Sequence, residues 1–265
     1  MTTASPILIT GSQRSGTTLL LLILDSHAQV TGIDEPQFYS SARSDSQPAE
    51  RIAYKLPMMA HEIGTLVERT DLQVVWCLRD PRAVVSSMLT LELAMGQGSV
   101  PWIHSPHGGI REIECCAAVL GTTLHRERQA LLTRFAEIRK KPPPLRRREE
   151  GIFAAALCWR LKQELLLLYR QLELPLHLVR YEELVQQPKP TITSLLEWLN
   201  LPWHEDVLRH HQLHQGRSIG DTDNQRAIDA TGTEKWRKSL QSEDLAVIRQ
   251  TCGDLAVQLG YFLED

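Results

Sequence analysis

Pro6-Ile-Leu-Ile-Thr-Gly11-Ser-Gln-Arg14-Ser15-Gly16-Thr17-Thr18-Leu19-Leu-Leu-Leu-Ile-Leu24 reads as strand, glycine loop and helix. Pro6 to Thr10 is a short apolar run of the kind buried in parallel sheets. Gly11 to Gly16 interrupts it, and Leu19 to Leu24 is then continuously apolar until Asp25-Ser26-His27 closes the element. Such a run predicts a helix buried round most of its circumference. Gly11 and Gly16 stand in the G-x-x-x-x-G frame, in which backbone N–H groups and a helix N-terminus hold an anion. A nucleoside-triphosphate loop continues from the second glycine with Lys and then Ser or Thr. Here Thr17 occupies the lysine position, and the cation lies inside the loop as Arg14.

Two further strands follow. Gln73 to Leu78 runs into Arg79-Asp80-Pro81, where Asp80 as N-cap and Pro81 at the first helical position signal a helix start. Leu176 to Val179 leads through a polar segment to a helix whose Ile192, Leu195, Leu196 and Leu199 share one face. Short apolar strands alternating with helices predict an α/β fold with a central parallel sheet. Arg111 to Arg170 has a different pattern, two long helical segments separated by Lys141-Pro142-Pro143-Pro144. We read residues 96–172 as a largely helical insertion within a single domain, 1–265, and the basic run Arg146 to Arg148 as a solvated helix start. A last helix carries Leu245, Ile248, Cys252, Leu255 and Leu259 on one stripe, with Ser242 as its cap.

The 265 residues are enough for a sizeable core, and 42 % hydrophobic with 23 % charged residues excludes disordered and fibrous classes. With 29 Lys plus Arg against 32 Asp plus Glu, the net charge of −3 argues against a nucleic-acid binder. An anion site must therefore come from a local group of cations. Leu19 to Leu24 is far short of the ~20 apolar residues that span a bilayer, and Met1 to Pro6 carries no cationic leader. The five cysteines, Cys77, Cys115, Cys116, Cys158 and Cys252, form no CxxC pair and read as reduced thiols of a cytoplasmic protein. His204, His210, His211 and His214 lack the Cys or carboxylate partners of a metal site and read as a solvated polar segment.

Arg14-Ser15-Gly16-Thr17-Thr18-Leu19 resembles the 5′-phosphosulfate loop of the PAPS-dependent sulfotransferases, PAPS being 3′-phosphoadenosine 5′-phosphosulfate. The likeness is greatest to the branch that holds the tyrosylprotein and many bacterial enzymes. It implies a P-loop-like three-layer fold, no metal, and a loop cation at Arg14 that meets the leaving phosphate. A second signature, Leu78-Arg79-Asp80-Pro81-Arg82-Ala83-Val84-Val85-Ser86-Ser87-Met88, is similar to the family segment in which a strand-end Arg and a Ser eight residues on bind the 3′-phosphate. That spacing selects Arg79 and Ser87, with Arg82 and Ser86 as the neighbouring alternatives. The branch's further Arg, four residues after the Ser, is replaced here by Leu91.

The resemblance also implies a catalytic glutamate 21 residues beyond the loop Arg, which is Glu35 in Gly32-Ile33-Asp34-Glu35-Pro36. A partly buried carboxylate is a suitable base for an acceptor hydroxyl, and Asp34 and His61 are its rivals. Val179-Arg180-Tyr181-Glu182-Glu183-Leu184-Val185 is similar to a segment whose tyrosine contacts the nucleotide, although Tyr181 serves equally well as core. Gly220 to Trp236 resembles the loop that closes over PAPS, with Arg226 and Lys235 as contacts. The implied activity is transfer of a sulfuryl group from PAPS to a hydroxyl or amine of a small molecule or glycan, releasing PAP, with no nucleic-acid or membrane partner. A P-loop kinase with a degenerate loop and a non-catalytic nucleotide-binding module are the alternatives.

Overall fold

The computed structural model describes residues 5–35, 51–69, 71–89, 92–95, 98–101, 107–121, 126–142, 147–214 and 226–263. Its strands are β1 (Ile7–Gly11), β2 (Val30–Asp34), β3 (Arg51–Lys55), β4 (Gln73–Leu78), β5 (Glu92–Met95), β6 (Gly98–Pro101) and β7 (Leu176–Arg180). The chain divides into two compact units, Met1–Arg79 with Tyr169–Ala230, and Asp80–Leu168 with Thr231–Asp265.

The first unit is built on a five-stranded sheet in the order β2-β3-β1-β4-β7, with every neighbouring pair parallel. β1 is buried along its whole length, and the helix Thr17–Asp25 that follows buries Leu20 to Leu24 completely. Those side chains pack with Val30, Ala53, Val75, Cys77 and Val179 into one continuous cluster. The helix Pro188–Trp198 adds Ile192, Leu195 and Leu196 on the face read from the sequence, and Leu199 follows at its end. A fully buried Leu or Ile contributes about 1.5–3 kcal/mol relative to exposure, so this cluster is the main source of the unit's stability. Tyr169 is buried apart from this cluster: its hydroxyl donates to the Ala60 carbonyl at 3.0 Å and its ring meets Trp76 edge-on.

β2 and β3 were not among the strands read from the sequence. They carry buried charge, which disguises them as surface. Arg51 is buried because its guanidinium donates to the carbonyls of Ser5 and Leu199 and to the Gln73 amide oxygen. Lys55 is buried because its ammonium lies 2.5 Å from Asp34 Oδ1. A charge leaves water at tolerable cost only when it is paired and hydrogen-bonded in this way.

The second unit begins with the helix Pro81–Leu89, which Asp80 caps by accepting the Arg82 N–H at 2.7 Å. An antiparallel hairpin, β5 with β6, comes next. Three helices follow, where the sequence reading had two long segments: His107–Leu120, Arg126–Arg139 and Arg148–Gln171. The extra break falls at Gly121, whose left-handed φ of 62° and N–H bonds to Ala117 and Ala118 end the first helix as a glycine commonly does. Pro143, Pro144 and Arg146 lie outside the described residues, while Arg147 and Arg148 are exposed as expected. Within this unit Lys162 is wholly buried and ion-paired with Glu112. The last helix runs Ser242–Gln258, but its cap is Gln241, which forms a capping box with Asp244; Ser242 is already the first helical residue. No described helix is long and apolar enough to cross a membrane.

Candidate active site

All five strands of the parallel sheet end at one edge, and the chain order reverses between β1 and β4, the position where α/β sheets gather ligands. Gly11 to Gly16 leaves β1 at this edge. Gly11 and Gly16 take φ of 123° and 88°, conformations that favour glycine, and Gly16 caps the helix Thr17–Asp25. Arg14 also has positive φ, 64°, which costs an ordinary side chain roughly 1–2 kcal/mol. The Arg79 guanidinium holds it there, Nη1 donating to the Arg14 carbonyl at 2.7 Å. Leu78 pairs in register with Arg180, so the next residues, Arg79 and Tyr181, come out side by side. The Arg79 Cζ lies 4.1 Å from the Tyr181 ring centroid, a cation–π stack. The other side of this contact is Gly16, where a Cβ would come within 2.6 Å of the Tyr181 ring. Ser15 is 1 % exposed, and its hydroxyl has no hydrogen-bond partner among the described residues.

Glu35 follows β2 at the same edge. Its backbone N–H donates to Asp34 Oδ1 at 2.9 Å, and its Oε1 accepts the Met58 N–H at 3.3 Å. Asp34 pairs in register with Lys55, and Lys55 Nζ also lies 3.5 Å from Thr18 Oγ1. Lys55 therefore brings a further cation to the first turn of the helix behind the loop, and sequence reasoning missed it. The available signal was its place at the end of a short alternating run, Arg51-Ile-Ala-Tyr-Lys55, immediately before Leu56-Pro57. His61 lies on the 3-10 helix Pro57–Glu62, its Nε2 3.3 Å from Glu62.

The structure thus gathers Arg14, Ser15, Gly16, Thr17, Thr18, Glu35, Arg79 and Tyr181 at one sheet edge in the first unit. Arg226 belongs to the same unit, is exposed, and forms an ion pair with Asp229. Gly220 to Gln225, the first part of that loop, lie outside the described residues. Ser87 and Lys235 belong to the second unit, Ser87 on the helix Pro81–Leu89 and Lys235 immediately before the short helix Trp236–Ser239. Their neighbours are engaged locally. Arg82 forks onto the Asp80 carboxylate and stacks on Trp236, and Ser86 Oγ lies 2.6 Å from Ser239 Oγ.

The histidine segment departs from the sequence reading. His210 is 1 % exposed, and burial together with His211 and His214 pushes its pKa down to about 4. His214 Nε2 lies 3.0 Å from Ser26 Oγ, with Asp25 beside its other nitrogen. His214 thus joins the C-terminal end of the helix Thr17–Asp25, and His210 is buried where a solvated segment was expected, while His204 and His211 are partly exposed. Among the described residues no three His, Cys, Asp or Glu side chains form a group able to hold a metal ion.

A parallel α/β sheet with a glycine-framed anion loop at its switch point defines a P-loop-like protein. The chain belongs to the sulfotransferase domain family, whose model it matches over residues 4–260. Solved structures share the fold at low identity. The sulfotransferase domain from the curacin biosynthetic pathway is 17 % identical, with a TM-score of 0.56 over 98 % of this chain and 99 % of that one. The sulfotransferase domain of the Synechococcus PCC 7002 olefin synthase is 15 % identical, with a TM-score of 0.51 over 94 % and 95 %. Mouse sulfotransferase SULT7A1, solved in complex with PAP, is 12 % identical, with a TM-score of 0.51 over 97 % and 88 %. No curated protein matches the sequence.

Proposed function

We propose that the protein transfers a sulfuryl group from PAPS to a hydroxyl or amine of a small molecule or glycan, without a metal and with Glu35 as general base. In this reading residues 1–265 form one sulfotransferase domain, and 96–172 shape the acceptor site. The observation that carries it is the loop itself: a phosphate-loop frame with Thr17 in the lysine position and Arg14 as its internal cation. The residues present fit such a donor. Ser15 Oγ is a buried hydroxyl with no hydrogen-bond partner among the described residues, at the anion-facing end of the loop. When bound, PAPS supplies an activated sulfuryl group whose bond to the 5′-phosphate breaks in the transfer.

Glu35 takes the acceptor's proton as the acceptor oxygen or nitrogen bonds to sulfur. Arg14 and the loop N–H groups meet the negative charge that grows on the 5′-phosphate, and Lys55 adds to that field. A sulfuryl group carries less charge than a phosphoryl, so guanidinium, ammonium and hydroxyls suffice. Arg79 and Ser87 are assigned the 3′-phosphate on their eight-residue spacing, and Tyr181, Arg226 and Lys235 remain nucleotide contacts on the strength of the family likeness.

A thermal-shift series with PAP, PAPS, ATP and ADP, with and without Mg²⁺, tests the donor. A ligand at 100 times its Kd stabilises by about 2.7 kcal/mol, so PAP is expected to raise Tm clearly without metal and ATP much less. Transfer from labelled PAPS in excess EDTA completes the test. Stabilisation by ATP only with Mg²⁺ supports the kinase alternative, and PAP binding without any transfer supports the non-catalytic one.

A further inference from the structure

We propose that Arg79, braced by Tyr181, is a positioning residue of the 5′-phosphate loop as well as a contact for the 3′-phosphate, so that one guanidinium serves both ends of the nucleotide. This rests on the reading that the site takes a 3′,5′-bisphosphorylated nucleotide. Arg14, Glu173 and Asn200 are the non-glycine residues with positive φ among those described. Glu173 and Asn200 lie two residues past helix ends, where the left-handed conformation is ordinary. Arg14 lies within a loop, in the turn that the Ser15 N–H closes on the Ser12 carbonyl at 3.3 Å. Arg79 adds a contact from another strand, the 2.7 Å bond to the Arg14 carbonyl.

Arg79 is itself oriented by the Tyr181 ring, 4.1 Å beneath its Cζ. That ring also fills the space over Gly16, at the other end of the loop. Tyr181 therefore touches the loop twice, directly at Gly16 and through Arg79 at Arg14. The in-register pairing of β4 with β7 sets the whole brace, because it delivers Arg79 and Tyr181 together at the sheet edge. Removing Arg79 frees the Arg14 carbonyl to relax, and the loop N–H groups and guanidinium turn away from where a 5′-phosphate binds.

Two half-ligands separate the roles: AMP has only the 5′-phosphate, and 3′-AMP only the 3′-phosphate. Calorimetry with these and PAP is run on the parent, Arg79→Ala, Arg79→Lys, Tyr181→Leu and Tyr181→Phe, with Tm measured for each. Arg79→Ala is expected to weaken 3′-AMP about tenfold and AMP about fivefold, although AMP offers nothing for a 3′-phosphate contact. Arg79→Lys keeps the charge without the fork or the stack, and is expected to lose more AMP than 3′-AMP affinity. Tyr181→Leu removes both the contact at Gly16 and the stack that orients Arg79, and is expected to weaken AMP roughly fivefold and 3′-AMP less; Tyr181→Phe is expected to match the parent, since the ring is what matters. Unchanged AMP affinity in Arg79→Ala and Arg79→Lys overturns the brace, leaving Arg79 a 3′-phosphate contact alone. Unchanged AMP affinity in Tyr181→Leu overturns the part given to Tyr181. A parent that prefers ATP to PAP overturns the donor reading itself, and the brace with it.

Discussion

Glu35 and its neighbour Asp34 are adjacent carboxylates at one sheet edge with different surroundings. Asp34 is held by Lys55 Nζ at 2.5 Å and accepts the Glu35 N–H, so its oxygens maintain the edge. Glu35 Oε1 accepts the Met58 N–H at 3.3 Å, which orients the side chain, and on the proposed reading its carboxylate takes the acceptor's proton. Glu35→Gln preserves shape and most hydrogen bonding but cannot accept that proton. On the proposed reading, turnover is expected to fall by roughly 10²–10⁴ while PAP affinity stays nearly constant, since a base serves the acceptor and not the nucleotide. The measurement needs an acceptor, found first by screening hydroxylated metabolites with labelled PAPS. Near-parent turnover in Glu35→Gln combined with loss in Asp34→Asn or His61→Asn assigns the base elsewhere and leaves the fold untouched.

At the scale of the element, the loop and the strands differ in what they disclose. β1, its loop and its helix are legible because purely apolar runs flank two glycines, and β4 because an Asp-Pro pair announces the helix behind it. β2 and β3 are illegible for one physical reason: Asp34, Arg51 and Lys55 become core residues only through partners on other segments, which no local window contains. Lys55 was lost as a site residue along with its strand. The loop's geometry predicts its own sensitivity. Gly11 has φ 123°, and a methyl there would be driven into the Cys77 carbonyl, which is backbone of the adjoining strand and cannot step aside. Gly11→Ala combines left-handed strain with a backbone clash, and is expected to cost about 3 kcal/mol or more in urea unfolding. A loss below about 1 kcal/mol would mean that the β1–β4 pairing is looser here than the register implies.

For the whole molecule, pH dependence of stability follows from the buried histidines. His210 is buried edge-on to the His211 ring, under the influence of His214, and bonds to the Arg226 backbone; Asp25 at the end of the helix Thr17–Asp25, and Ser26 beyond it, face His214. Burial and the two neighbouring rings outweigh the Arg226 bond and bring the pKa of His210 to about 4, against 6.5 for an ordinary histidine. Between those values the unfolded chain binds a proton that the folded chain refuses, so folding loses stability as pH falls from 6.5 towards 4. For His210 alone the loss between pH 7 and pH 5 is about 2 kcal/mol, and His177, lowered by its own burial, adds in the same direction. Glu150 and Asp254, whose folded pKa values are lowered, lose their contribution only as pH drops through the carboxylate range, below this window. The net charge also changes sign near the sequence pI of about 6.4, so solubility shifts over the same interval and the parent's curve alone is ambiguous. Comparison with His210→Gln removes the ambiguity, because that variant keeps the fold's net charge at neutral pH and cannot take up the proton. Urea unfolding at pH 7 and pH 5 is expected to show the parent losing about 2 kcal/mol more than His210→Gln. Parallel losses in the two proteins would place the acid sensitivity outside this histidine cluster.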